Sequence, residues 1–217
     1  MMLLADLGGW AWLAIISIVL VSAWVHGALG LGFPLLATPA LATIVDVRSA
    51  ILVTLLPTMA DNRASIAGNR GGFAHARAHA PLIGFVLVGS VLGAMALAAF
   101  DPAPFRLVLA ALILLYIWGK LRVPRRRLDQ NPWLFMGVFG ITAGLAAGTT
   151  NAMVTVLIVY FLSLETPRGV MVPVLNACFL TGKISQFAVL AVAGYVSGPL
   201  LLQSGPLAVL AVGALLA

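Results

Sequence analysis

Residues 81–100, PLIGFVLVGSVLGAMALAAF, form an apolar run of 20 residues that contains no charged side chain. A run of about 20 such residues is long enough to span the hydrocarbon core of a bilayer as an α-helix. Other predominantly apolar runs, with at most two charged residues each, occur at 50–66, 105–121, 170–196 and 199–217. The pattern predicts an all-α fold, a polytopic membrane helix bundle.

Charge is scarce in the rest of the chain as well. Only 8% of the 217 residues are charged and 62% are hydrophobic, whereas about 25% of an ordinary soluble protein is charged. Such a surface cannot face water, so a soluble domain is excluded. The formal net charge is +6, but the cations cluster in short loops, where they set topology. We therefore expect the lipid bilayer, and no nucleic acid, as a partner.

The loop cations predict an orientation. Eight of the 12 Lys and Arg residues fall within 63–79 and 120–127, and two apolar runs separate these segments. Both segments therefore lie on one side, which the positive-inside rule makes cytoplasmic. Two longer runs, 10–45 and 132–164, are interrupted by glycine-rich breaks, and we interpret each as one broken, tilted or re-entrant crossing. This predicts about seven crossings and a cytoplasmic N-terminus; two short crossings in the first run would place the N-terminus on the far side.

The chain also repeats itself at an offset of 120 residues, where Arg48 corresponds to Arg168 and Arg63 to Lys183. We predict a first repeat of four crossings at 1–121, a basic cytoplasmic linker at 122–131, and a second repeat of three crossings at 132–217. Both repeats would begin in the cytoplasm and so run parallel. The second repeat is one crossing short, which suggests that a final helix is missing.

Three segments resemble the TauE/SafE family of sulfite exporters and sulfonate permeases: GALGLGFP at 27–34, GLAAGTTN at 144–151 and NACFLTGKISQ at 176–186. The resemblance implies a multi-pass permease of the bacterial inner membrane. Its implied substrates are small sulfur-containing or organic anions, such as sulfite, thiosulfate and sulfonates including sulfoacetate. We expect alternating access, with a small anionic substrate as partner; a homodimer is compatible with the sequence.

Lys183 stands inside an apolar run, where an unpaired cation costs roughly 2.5–3.5 kcal/mol on insertion scales. Asn176 and Gln186 share approximately one helix face with it. A cation beside amide donors suits an oxyanion. The alternative is that Lys183 snorkels to the membrane interface or pairs with a carboxylate.

The two helix breaks provide further candidates. Unwound backbone at membrane depth requires surrounding protein or water, and transporters form substrate sites at such breaks; tight helix packing through small residues is the alternative. Arg63, the counterpart of Lys183, is equally interpreted as an interface anchor neutralised by Asp61. The predicted substrate-binding residues are Lys183, Asn176, Gln186, Thr149, Thr150, Asn151, Gly30, Gly32, Asn62 and Arg63.

Other chemistry finds little support in the sequence. Neither a nucleophile with a base nor a metal motif is present, so we expect no enzyme activity, no cofactor and no metal. His26, before the first break, is interpreted as a proton relay or as structural. The alternatives left open are a permease for a different small solute or a metal ion, and a non-transporting membrane subunit. No acid chain for proton coupling is expected, because most carboxylates fall in loops or at run ends: Asp46, Asp101, Asp129 and Glu165.

Overall fold

The computed structural model describes residues 8–101, 103–121 and 132–217, and the regular structure within these ranges is entirely helical. Five of the helices, α1, α5, α7, α9 and α10, are long and apolar enough to cross a membrane. The predicted helical membrane bundle is confirmed, whereas the number of crossings stays a prediction. The predicted linker at 122–131 lies outside the described residues. The helices are α1 (Gly9–Leu29), α2 (Phe33–Leu41), α3 (Val47–Gly68), α4 (Gly72–Ala78), α5 (Ala80–Ala99), α6 (Ala103–Leu121), α7 (Pro132–Thr150), α8 (Met153–Ser163), α9 (Arg168–Val192) and α10 (Gly198–Leu215).

Helices α1 and α3 end at the same face of the bundle, where His26 Nε2 lies 2.9 Å from Ser65 Oγ. At the other end, the guanidinium of Arg48 donates to the carbonyl oxygens of Leu97 and Phe100 at 2.6 Å. The start of α3 therefore meets the end of α5, and these two helices run in opposite directions. We name the end that carries α4 the α4 face and the opposite end the Arg48 face.

The first long run, 10–45, is a helical hairpin and not one broken crossing. Gly30 and Gly32 have φ of 78° and 116°, left-handed conformations that glycine adopts without a steric penalty. The chain reverses there, and α2 returns from the α4 face to meet the start of α3 at the Arg48 face. The start of α1 and the loop at 63–79 consequently lie on opposite faces. The predicted placement of both on one side is wrong for this reason.

Helix α7 runs parallel to α5 along a face of glycines. Gly89 of α5 meets Gly144 of α7, and Gly93 meets Gly148, so residue numbers increase together along both helices. Small residues permit this close backbone approach between membrane helices. A Cβ atom added at Gly148 would lie 2.5 Å from the carbonyl oxygen of Ser90, which shows how little space separates the two backbones.

Helix α9 follows the same direction as α5 and α7. It starts at the α4 face, where Arg168 donates to the carbonyl oxygen of Leu29 at 2.8 Å. Just beyond its end, the hydroxyl of Tyr195 donates to the carbonyl of Ala98 at 3.0 Å, near the Arg48 face. Helices α7 and α9 therefore run opposite to α1 and α3. The predicted parallel arrangement of the two halves is wrong, and the described helices are inverted between them.

Two apolar cores hold the bundle together. The first joins α1, α2 and α3 of the first half with α10 of the second half. The second joins α7, α8 and α9 of the second half with α5 of the first half. Leu190 of α9 also belongs to the first core, and Leu35 of α2 packs against the second, so both cores draw residues from both halves of the chain. The candidate site lies where these two cores meet.

Candidate functional site

The break between α7 and α8 is formed around Asn151, which has a left-handed backbone with φ of 62°. Its side chain is buried, and its Nδ2 donates to Thr38 Oγ1 of α2 at 2.9 Å. Asparagine tolerates this backbone conformation better than most residues. The hydrogen bond fastens the break of the second half to the short returning helix of the first half.

Lys183 is 3% exposed, and its ammonium group lies beside this break. Nζ donates to Asn151 Oδ1 at 2.5 Å and to Gln186 Oε1 at 2.7 Å. The Gln186 Nε2 donates in turn to the carbonyl oxygen of Gly148 at 2.8 Å. Because that carbonyl can only accept, the amide oxygen of Gln186 must face Lys183. Both partners of Nζ are neutral amides, and they occupy two of the three N–H donors of an ammonium group.

The depth of Lys183 follows from its neighbours. Ser90 stands at the middle of α5, and its hydroxyl donates to the carbonyl oxygen of Gly182 at 3.0 Å. The hydroxyl of Ser185 donates to Ser90 Oγ at 2.9 Å. Lys183 is therefore buried near mid-depth, where snorkelling to an interface is excluded. The partners of its Nζ in the described chain are amide oxygens and not a carboxylate.

The break between α1 and α2 carries a second polar cluster. Asn176 of α9 donates from Nδ2 to the carbonyl oxygen of Gly30 at 2.7 Å. The amide N–H of Phe33 donates to His26 Nδ1 at 3.3 Å. Since Nδ1 accepts, the ring proton lies on Nε2 and is donated to Ser65. His26 of α1 therefore links the start of α2 to α3 at the break and positions these three helices relative to one another.

An open cleft of about 350 Å³ leads from the α4 face to this second cluster. At about 30 Å³ per water molecule, this volume has room for roughly twelve. Arg168 and Asn69 supply its polar side chains, and Gly30 and Val172 also line it. The rest of its lining is small or apolar: Gly27, Ala28, Leu29 and Gly169.

The predicted site residues separate into three groups. Lys183, Gln186 and Asn151 come together directly, and Asn176 contacts Gly30 about 10 Å farther along α9 at 1.5 Å per residue. Gly32 caps the start of α2. The remaining predicted side chains do not contact Lys183. The hydroxyls of Thr149 and Thr150 donate to carbonyl oxygens of their own helix. Asn62 is buried and donates to the carbonyl oxygen of Thr58, and Arg63 is exposed.

Sequence reasoning missed three polar residues of this region. Thr38 and Ser90 each stand alone in an apolar stretch, and a single hydroxyl gives no periodic signal. Asp61 was expected to neutralise Arg63, but it is completely buried and both its carboxylate oxygens have no hydrogen-bond partner in the described chain. The only signal for Asp61 was its position inside a helix that crosses the bundle.

Comparison with known proteins gives one match. The family model described as sulfite exporter TauE/SafE covers residues 14–217, nearly the whole chain. Neither the curated proteins nor the solved structures give a significant match.

Proposed function

The chain belongs to the sulfite exporter TauE/SafE family, and from this premise we propose that it is a membrane permease for small sulfur-containing anions. Sulfite, thiosulfate and sulfonates such as sulfoacetate are the proposed substrates. The protein transports them by alternating access in the bacterial inner membrane.

The observation that carries the proposal is the buried ammonium group of Lys183. An unpaired cation at this depth is costly, and an anion that binds it removes that cost. Two N–H donors of Nζ are held by Asn151 and Gln186, so the third is available to an oxyanion oxygen. The backbone break at Asn151 adds polar backbone groups at the same depth, as transporters of several folds do around their substrates.

The cleft at the α4 face supplies a route toward this site. The guanidinium of Arg168 lies in its wall and attracts anions at the opening. Gly30 lines the cleft, and its carbonyl oxygen accepts a hydrogen bond from Asn176; we propose that this contact closes the way to Lys183 in this conformation. Relative movement of the two apolar cores would break this contact and the Thr38–Asn151 hydrogen bond, and so open and close the route.

The proposed orientation places the α4 face in the cytoplasm. Arg63, Arg70, Arg77 and Arg168 lie toward this face, and the positive-inside rule assigns such a face to the cytoplasm. The start of α1 then lies on the periplasmic side, and the cleft opens inward. Accessibility of single cysteines placed at residue 8 and at residue 70 to a membrane-impermeant thiol reagent tests this orientation.

Flux measurements test the function. We would reconstitute the wild type, Lys183→Met and Arg70→Gln into proteoliposomes and follow labelled sulfite, thiosulfate and sulfoacetate. Methionine keeps the length of the side chain without its charge, and Arg70→Gln removes one exposed positive charge as the matched control. We expect flux of at least one anion in the wild type and the control, and its loss in Lys183→Met. Equal flux in all three proteins would remove Lys183 from the site.

A further inference from the structure

Asp61 is a buried carboxylate that the proposed anion site does not use. It lies in α3, one turn before Ser65, and is 0% exposed. Neither of its oxygens has a hydrogen-bond partner in the described chain. A carboxylate in the membrane interior is expensive unless something compensates it. We therefore expect a ligand that neutralises the negative charge of the Asp61 carboxylate.

The atoms around Asp61 indicate what that ligand supplies. Thr58 Oγ1, one turn before Asp61, and Asn62 Oδ1, at the next position of the helix, are buried and also lack partners in the described chain. Asn176 Oδ1, on helix α9, which packs against α3, also lacks a partner in the described chain. This neighbourhood is rich in acceptors and short of donors. A proton on Asp61 converts one acceptor into an O–H donor and removes the negative charge at the same time.

Among the described side chains of α3 and of the helices that pack against it, one buried cation can balance the negative charge of Asp61. Among the helices that pack against α3, α2 and α10 carry no titratable side chain. His26 of α1 keeps its ring proton on the nitrogen that faces Ser65, so it carries no charge. The remaining titratable residues of α3 and of the helices packed against it are Arg48 and Arg63 of α3, His75 and Arg77 of α4, and Arg168, Cys178 and Lys183 of α9. Helix α6 adds Arg106, Tyr116 and Lys120, and the side chains of these three residues lie outside the description. Of those described, Lys183 is the buried cation.

Asp61 and Lys183 together define four charge states of the interior. With both charged and no ligand, the sum is zero. With a monovalent anion on Lys183 and a proton on Asp61, the sum is again zero. With the anion alone it is −1, and with the proton alone it is +1. Because a net charge is costly in the membrane interior, the empty and the doubly loaded states are the ones that change conformation readily.

We propose that Asp61 binds a proton that travels together with each monovalent anion, so that the permease is a proton–anion symporter. This inference rests on the proposed function, because it takes Lys183 as the anion site. The carboxylate takes a proton from water on one side of the membrane and releases it to water on the other side. No bond other than this O–H bond forms or breaks.

The test uses labelled sulfite with both the lumen and the outside at pH values where hydrogensulfite, the monovalent form, predominates, so that the substrate itself releases almost no proton in the lumen. Proteoliposomes contain the wild type, Asp61→Asn, Asp61→Glu or, as a matched loop control, Asp101→Asn, and protein-free vesicles give the background. One assay measures accumulation driven by an inward proton gradient with the membrane potential clamped. A second measures exchange of labelled for unlabelled anion at equal pH. A pH-sensitive dye in the lumen reports proton entry.

We expect several-fold accumulation and lumen acidification for the wild type, Asp61→Glu and Asp101→Asn. Asp61→Asn imitates the protonated state, so its empty form carries a net charge and returns slowly. It should lose gradient-driven accumulation but retain exchange, which does not require the empty form. A wild type that transports the anion without responding to the proton gradient overturns the inference and leaves the proposed function standing. Loss of exchange in folded Asp61→Asn also overturns it, whereas a wild type that moves no anion at all refutes the proposed function itself.

Discussion

Replacing Thr38 by valine removes the hydroxyl of α2 that accepts a hydrogen bond from the α7–α8 break, with little change in side-chain volume. The Nδ2 of Asn151 then loses a 2.9 Å hydrogen bond inside the bundle. An unsatisfied buried donor costs about 1–3 kcal/mol, and hydrogen bonds between membrane helices reach about 1.7 kcal/mol at most. We therefore expect a loss of about 1–2 kcal/mol of stability, or about 2–8 °C in Tm for a chain of this length.

Thr54→Val is the matched control for this experiment. Thr54 is as buried as Thr38, but its hydroxyl donates to carbonyls of its own helix, Ala50 and Ile51. Those carbonyls keep their helical partners when the hydroxyl is removed, so the control should lose less than about 0.5 kcal/mol. Thermal unfolding in detergent, followed by circular dichroism, measures both variants. If Thr38→Val unfolds at the same temperature as Thr54→Val, the hydrogen bond between the two halves does not hold the break.

Three further predictions concern the packing, the first break and the cleft. Gly148→Ala should cost about 1–3 kcal/mol in thermal unfolding, because its methyl group meets α5, whereas Gly84→Ala, with nothing within 4 Å, should not destabilise; equal stability of the two would contradict the close helix contact. His26→Leu removes the acceptor for the Phe33 amide, so hydrogen exchange at that amide should become at least several-fold faster than in the wild type, and unchanged protection would exclude the positioning role. Arg168→Gln should raise KM for the anion several-fold at low salt and leave kcat nearly unchanged; a fall in kcat at constant KM would argue against a capture role.

The positions of the helices follow closely from hydrophobic length. The run at 81–100 corresponds to α5 at Ala80–Ala99, because about 20 apolar residues are what a helix needs to cross a bilayer. The relative direction of the helices in the two halves could not be predicted from hydrophobic length. A glycine-rich break is compatible with a helix that continues and with one that reverses, and only the backbone angles at Gly30 and Gly32 distinguish them.

The candidate site was predictable where its members share one helix or one break. Lys183 and Gln186 are three residues apart, which places them on one face of α9. Asp61 and Arg63 are two residues apart, which places them on different faces of α3, so their proximity in sequence did not mean an ion pair. The partnership of Thr38 with Asn151 spans the two halves, and nothing local in the sequence encodes it.

The most direct test of the account is to locate a bound anion. Selenite has the charge and shape of sulfite and contains selenium, whose anomalous scattering identifies its position in a crystal. The account predicts a selenium peak within about 4 Å of Lys183 Nζ, the distance of a hydrogen-bonded oxyanion, and its loss in Lys183→Met. A peak that appears only in the cleft beside Arg168 would contradict the account. So would a peak that stays at the same position when Lys183 is replaced by methionine.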